Sequence, residues 1–543
     1  MGISSAGIGS GLDVNGIVTS LMGVEQKPLT AVTKQKTDYQ SQVSAYGSLK
    51  SSLSTFQTAV SALSTISKFN AQTVTSSNTS VLTATANGSA TLGDYALTVS
   101  QLAKSQKLAS AGFASTADTV DTGTLAITFG SYDATSPYAF TANTAKTALN
   151  ITIDSSNNTL AGMRDAINAS NASITATIVN NGSANQLVMT SKDTGEVNSL
   201  QISGISQLAY DKSSGIANMT EVQVAKNAVM EIDGITVTKA SNTISDVVEG
   251  VTLNLLTTSS GASVTLAVAS NQEAVKTSVT AFVDAYNKLD TTLRNLTKYD
   301  STGKASGVLL GDTTARSVMS QIKAVMTKAI ATTGSFTTLG QIGVSFQSTG
   351  QLALDSTKLT TAMSSNFNDI ASLFATSAKA TDAQISYASS TSKTQVGTYA
   401  VTVSQLGTSL VSMAGTINGA TATGSSTSLT GATGDASEGL RLKVATGALG
   451  ARGTVNFTRG YAAQLDTVIS NLLSGSGIVT SRTDGLKTSI TRLDKQSESI
   501  STRLATIEAR YRAQFTRLDT LLSSMSKTSS FLTQQIASIN ANK

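Results

Sequence analysis

The chain has 543 residues, room for two to five domains of ordinary size, and its 40% apolar and 5% aromatic content, without tryptophan, points to modest Val/Ile/Leu/Ala cores. Only 13% of residues are charged, and 38 basic against 33 acidic side chains leave +5 over the whole length, too dilute for a nucleic-acid-binding stripe. Cysteine and histidine are both absent, which excludes a disulfide frame, thiolate chemistry and the commonest general base and metal ligand.

The N-terminus, Met-Gly-Ile-Ser-Ser-Ala-Gly-Ile-Gly-Ser, has no basic region followed by an apolar core, so it does not read as a general secretory signal. No run approaches 18 apolar residues, so no membrane span is expected. Residues 1–12 are rich in Gly and Ser. Asp13 can cap a short helix whose Val14, Ile17, Val18, Leu21 and Met22 form an apolar face with nothing local to cover it. Pro28 suits the first turn of a second helix. That helix carries Tyr39, Tyr46, Leu53 and Val60 at one seam position and Leu49, Phe56 and Leu63 at the other.

From Asn70 the period changes. Residues 71–270 read as short strands, among them Ala96–Val99, Leu125–Phe129, Ile151–Ile153, Ile174–Val179, Leu187–Thr190, Ile232–Val237 and Leu253–Leu256. One helix, with Thr159, Leu160, Met163, Ala166 and Ile167 at helical spacing, interrupts them. Small β-rich or α+β modules fit this pattern better than a parallel-sheet enzyme. Helical spacing returns with Val275, Val279, Phe282, Val283, Tyr286, Leu289 and Leu293, then over Ala315–Ala329 and Asp355–Phe374. Residues 377–457 switch back to strand-like sequence. A decapeptide repeats: Gly93-Asp-Tyr-Ala-Leu-Thr-Val-Ser-Gln-Leu102 and Gly397-Thr-Tyr-Ala-Val-Thr-Val-Ser-Gln-Leu406 share eight of ten residues, so one small module is expected in each insertion.

A helix from Tyr461 pauses at Gly475 to Gly477 and gives way to a heptad run, Ile490, Leu493, Ser497, Ile500, Leu504, Ile507, Tyr511, Gln514, Leu518, Leu521 and Met525. So long a stripe needs a partner, and the seam around Leu53 at the other chain end supplies one. Arg492, Arg503, Arg510, Arg512 and Arg517 flank the run and are expected to pair with Asp494, Glu498, Glu508 and Asp519. Phe531, Leu532, Ile536 and Ile539 form a last apolar helical face without a local cover.

Candidate chemistry is sparse. Gly7-Ile-Gly-Ser-Gly11 lacks the preceding strand and third glycine of a dinucleotide loop, and Asp13-Val-Asn-Gly16 lacks the further carboxylates of a calcium loop. Asp233-Gly234 and Asn180-Asn181-Gly182 read as hairpin turns. Nothing here points to an enzyme, a cofactor or a metal.

The opening Gly7-Ile-Gly-Ser-Gly-Leu-Asp-Val-Asn-Gly-Ile-Val18, the stretch Arg510-Tyr-Arg-Ala-Gln-Phe-Thr-Arg-Leu-Asp519 and the ending Ser529-Ser-Phe-Leu-Thr-Gln-Gln535 resemble the bacterial flagellar hook-associated protein 2 family. Thr159–Asn168, continuing to Ile178-Val-Asn-Asn-Gly182, resembles the small module of flagellin-related proteins. The resemblance implies an α+β multidomain fold, with long N- and C-terminal helices forming a helical, coiled-coil stem and β-rich domains inserted between them. It implies a leg segment 1–40, flexible until assembled, a stem helix 41–69 and β-rich outer domains 71–270. It further implies a helical stem domain 271–376, a second β-rich insertion 377–457, stem helices 458–514 and a leg 515–543. Tyr46, Leu49, Leu53, Phe56, Leu504, Ile507 and Tyr511 would pack the stem; Leu12, Ile17, Leu21, Leu518, Leu521, Phe531 and Leu532 would contact the filament.

Functionally, the resemblance implies a ring-shaped homo-oligomer that caps the flagellar tip and helps exported flagellin fold and insert. Implied partners are flagellin, hook-filament junction proteins, a flagellar export chaperone and a mucin or host surface, with no nucleic acid and no membrane span. The protein would leave through the flagellar export apparatus and act outside the cell. Two alternatives share the residues: an adhesin binding mucus or host ligands through the outer β-rich domains, and a flagellin or hook-filament junction protein.

Overall fold

The computed structural model describes residue 11 and residues 13–170, 173–302 and 305–541, except for the side chains of Ile539 and Ala541. It has a mixed α+β architecture in two compact units: Met1–Lys68 with Glu273–Lys543, and Phe69–Gln272.

The N-terminal helices are α1 (Val14–Glu25), α2 (Lys27–Ser61) and the short α3 (Ile66–Phe69). Asp13 caps α1, its Oδ1 accepting the Gly16 N–H at 2.9 Å, and Pro28 occupies the first turn of α2, where its missing N–H costs nothing. In the other unit α4 (Leu160–Ala169) is capped by Thr159 and buries Leu160, Met163 and Ile167. Next come α5 (Gln272–Thr297), α6 (Thr313–Met326), α7 (Ser356–Phe374), α8 (Tyr461–Leu473) and α9 (Ile478–Ala541). α9 is unbroken for 64 residues, about 96 Å at ~1.5 Å per residue, so the heptad run and the final apolar face belong to one helix.

The core of the helical unit is aromatic. Phe56 of α2 lies 5.6 Å from Phe282 and 5.9 Å from Tyr286, both on α5; Phe282 reaches Phe374 of α7 at 6.0 Å. Every apolar residue read on the α5 face is buried. Two helices depart from their sequence reading. α6 stops at Met326 instead of Ala329, where the Thr327 N–H closes on the Lys323 carbonyl. α7 is kinked at Asn366 (φ −147°, ψ 60°), which periodicity alone does not reveal.

All named strand pairs are antiparallel. In the 69–272 unit a five-stranded sheet runs Gln72–Ser76, Val264–Ser270, Gly93–Gln101, Ala228–Ile232, Ile235–Lys239; in the helical unit another runs Thr376–Ala380, Gly450–Arg459, Gly397–Gln405, Ala414–Ile417, Ala420–Thr421. Both repeated decapeptides thus supply the central strand of their sheet. Ile232–Val237 is not one strand as the alternation suggested. It breaks into a hairpin with Ile232 opposite Ile235, because Asp233 and Gly234 adopt φ of +48° and +83°. A separate core, built from Leu125, Ile127, Leu187, Met189 and the buried face of α4, occupies residues 108–219.

Replacing Phe282 by Ala removes the ring shared by α2, α5 and α7. It should cost about 3–5 kcal/mol and lower only the helical unit's calorimetric transition.

Candidate assembly surface

α9 runs antiparallel to the first two helices. Arg512 Nη1 donates to Asn15 Oδ1 at 2.9 Å, and Lys36 Nζ lies 2.5 Å from Asp494 Oδ1. Higher still, the Tyr46 hydroxyl donates to Asp312 Oδ1 at 2.6 Å while Arg482 Nε and Nη2 each donate to Asp312 Oδ2 at 3.3 Å. As one chain end is followed upward in number the other is followed downward, a single register held from residue 15 to residue 46.

The apolar seam follows the same register. Val14, Val18 and Met22 are buried against Leu504, with Leu29, Ile500, Ile507, Tyr511 and Phe515 packed around them. The N-terminal apolar face is therefore not left uncovered, as its sequence suggested. α9 covers the Val14, Val18 and Met22 side and leaves Ile17 half-buried and Leu21 exposed. Leu12 lies outside the described residues.

Tyr46, Leu49, Leu53 and Phe56 are buried in the helical core. Leu504, Ile507 and Tyr511 sit several turns away along α9, facing α1, so the two groups expected to pack the stem are not side by side. The antiparallel register explains this, since Tyr46 reaches the level of Arg482, not that of Leu504. Asp494 pairs with Lys36 rather than with a flanking arginine, whereas Arg512 and Glu508 do pair, at 2.8 Å. Sequence reading missed Val479 and Leu486, which extend the buried row of Leu493 toward the start of α9; their seven-residue spacing from Leu493 was the available signal. It also missed Asp312 and Arg482, which no local pattern marks.

Toward the C-terminal end of α9 the apolar stripe is open. Leu518 is 40% exposed, Leu521 57%, Phe531 58% and Leu532 54%, with Met525 and Ile536 beside them. Among the described residues no group of three or more acidic side chains could hold a metal, and no helix is long and apolar enough to cross a membrane.

These features have relatives. The family description "Flagellar hook-associated protein 2 C-terminus" matches residues 225–527, and "Flagellar hook-associated protein 2 N-terminus" matches residues 10–106. The chain belongs to the flagellar hook-associated protein 2 family. It is 32% identical over 558 residues to flagellar hook-associated protein 2 of Escherichia coli (strain K12), covering 100% of this chain and 99% of that protein. Its identity to the Salmonella typhimurium counterpart is 30% over 559 residues, covering 99% of each. The crystal structure of the D1-D2-D3 domains of the E. coli flagellar cap protein FliD superposes with a TM-score of 0.57 at 29% identity. It covers 82% of this chain and 99% of that one.

In this family member the Asp312 carboxylate ties three helices together, since it also caps α6 by accepting the Ala315 N–H at 3.0 Å. Burial by itself raises its pKa. The hydrogen bonds from Tyr46 and from the Ala315 N–H, with the charge of Arg482, outweigh burial and hold the carboxyl below its ordinary range. Burial and the Asp312 contact push the Tyr46 phenol up to about 12, so it stays a donor at any working pH. Because the folded pKa of Asp312 is depressed, its stabilisation is present above the unfolded value near 4 and fades as pH falls through the folded value. Asp312→Ala should therefore cost about 2–4 kcal/mol at neutral pH, through the lost cap and two stranded donors. In melting curves the gap between wild type and Asp312→Ala should narrow below about pH 4.

Proposed function

We propose that the protein is a nonenzymatic filament-capping and assembly protein that forms a homo-oligomeric cap at the flagellar tip and promotes folding and insertion of exported flagellin. The observation that carries this reading is family membership along the whole chain, joined to an apolar stripe on α9 that runs on past the seam shared with α1. Such a stripe is stable in water only while it is sparse or covered, and entry into a larger assembly covers it.

In this reading α1 and α2 with α9 form a coiled-coil stem. Residues 1–40 and 515–543 act as legs, 41–69, 271–376 and 458–514 as the stem domain, and 71–270 and 377–457 as outer β-rich parts. Ile17, Leu21, Leu518, Leu521, Phe531 and Leu532 are the leg contacts. Each is a modest apolar contact, so single legs can release and rebind while several together retain the cap. Export through the flagellar apparatus, with a chaperone covering the terminal stripe beforehand, follows from the same exposure, and hook-filament junction proteins are the surface first met at the tip.

The described side chains of residues 526–543 are all exposed, and the test deletes that segment. The helical unit's melting temperature should stay unchanged, whereas filament elongation, followed by electron microscopy of growing flagella, should fail. Normal elongation by the truncated protein would contradict the leg assignment.

A further inference from the structure

The two β modules match well beyond the repeated decapeptide. Leu97 faces Ile232 and Val401 faces Ile417; in both pairs the ladder skips one residue, Ser100 in the first and Ser404 in the second. Each central strand is followed across the ladder by a hairpin with two left-handed residues, Asp233-Gly234 and Asn418-Gly419. The Asp233 N–H donates to the Ala96 carbonyl at 2.9 Å, and the Asn418 N–H donates to the Ala400 carbonyl at 2.8 Å. The Tyr95 hydroxyl bonds back to the Thr91 carbonyl and that of Tyr399 to the Gln395 carbonyl, four residues earlier in each case. The smaller sheets correspond too: Leu82–Ala86 pairs with Val251–Leu255, as Ile385–Ser389 pairs with Arg441–Val444.

This correspondence locates one difference to the residue. Gln405 Nε2 donates to the Ser412 carbonyl, and the Thr408 N–H donates to the Val411 carbonyl at 2.8 Å, closing a tight turn over Ser409 and Leu410. In the first module Gln101 Nε2 donates to the Asn227 carbonyl, and the Lys104 N–H donates to the Lys226 carbonyl, also at 2.8 Å. Between Lys104 and Lys226 the chain leaves to build the separate core of residues 108–219 and returns. In the second module the same gap holds two residues, and Leu410 at its tip is 94% exposed.

We infer that the modules are two copies of one unit and that the Thr408–Val411 turn is a second hosting site for a folded domain, equivalent to the site that carries residues 105–225. The framework of helices and two modules is then complete without its passenger, because the gap in the first copy needs only a two-residue turn. The hydrogen bonds that close it, from Gln101 and between Lys104 and Lys226, come from the framework side and survive removal. Among the described residues four passenger hydrogen bonds are lost: Thr194 Oγ1 to the Ala240 carbonyl at 2.6 Å, the Gly195 N–H to the Lys104 carbonyl at 3.0 Å, the Glu196 N–H to Asn227 Oδ1 at 3.0 Å, and Asn227 Nδ2 to Glu196 Oε2 at 3.0 Å. The framework atoms they leave are the Ala240 carbonyl and the Asn227 amide, which water can satisfy once exposed, and the Lys104 carbonyl, which still accepts the Lys226 N–H at 3.1 Å.

Two full-length variants test this. In the first, residues 105–225 are replaced by Ser-Leu; in the second, residues 105–225 are grafted between Thr408 and Val411 in place of Ser409-Leu410. A control places the same graft between Asn418 and Gly419, a turn that both copies keep at two residues. Calorimetry and limited proteolysis should show the first variant keeping a cooperative transition for the remaining module and the second keeping both its module and the grafted domain protease-resistant. The control should lose the second module. Loss of the module's transition in the first variant, or unfolding of the second variant to the control's extent, would overturn the inference. Filament growth by the first variant is scored apart from folding, because it bears on the capping reading and not on the duplication.

Discussion

The structure depends on the antiparallel contact between the helices α1 and α2 and the long terminal helix. A helix of 64 residues with an apolar stripe cannot cover itself, and one chain offers few other surfaces of comparable length. Once α1 and α2 lie along α9, the N-terminal helices and the terminal helix belong to one helical unit, and whatever lies between them leaves that unit and returns to it. The second β module shows how such an excursion is made without slack. It enters from α7 through Ala375 and exits to α8 through Gly460, whose N–H donates to the Ala375 carbonyl at 2.9 Å. A Cβ at Gly460 would stand 2.3 Å from the Phe374 carbonyl carbon, so the crossing needs glycine.

The low charge content fits this design. Along α2 and α9 many hydroxyls fold back onto the carbonyl four residues earlier, as Thr37 does to Thr33, Thr506 to Thr502 and Thr520 to Thr516. Polar side chains satisfied within their own helix make few demands on a neighbour. Lateral contacts are then set by apolar shape and by a few ion pairs such as Lys36 with Asp494, which is half-exposed and of small worth by itself. The exception is Asp312, where one carboxylate serves a tyrosine, an arginine and a helix cap at once. Burying it without all three would be unfavourable, so its partners fix the relative height of α2, α6 and α9.

The sequence made much of this legible, for reasons that also explain the rest. Periodicity tells which side chains are buried, and the α5 face, α4 and the central strand of each module were readable on that ground. It does not tell against what they are buried. Val14, Val18 and Met22 looked unpartnered because their cover lies almost 500 residues away, and the heptad run through Leu504 and the seam around Leu53 could be matched as stripes without showing which residues stand at the same height. Asp312 and Arg482 carry no periodic signal at all. The kink at Asn366 and the split of Ile232–Val237 are backbone decisions of single residues, and only the latter, with Asp-Gly, had turn chemistry that could outvote alternation. The repeated decapeptide announced a duplicated module, but the matching ladder skips and hairpins became visible only in the hydrogen bonds.

The central claim is the register between the two chain ends, and the absence of native cysteine allows a clean test. A Lys36→Cys, Asp494→Cys pair and a Lys36→Cys, Met525→Cys pair, each treated with a short bismaleimide in dilute solution, would be compared by mass spectrometry of the monomer band. The antiparallel arrangement predicts efficient intramolecular cross-linking of the first pair and none of the second. Equal linking of both, or linking of the first only between molecules, would contradict it.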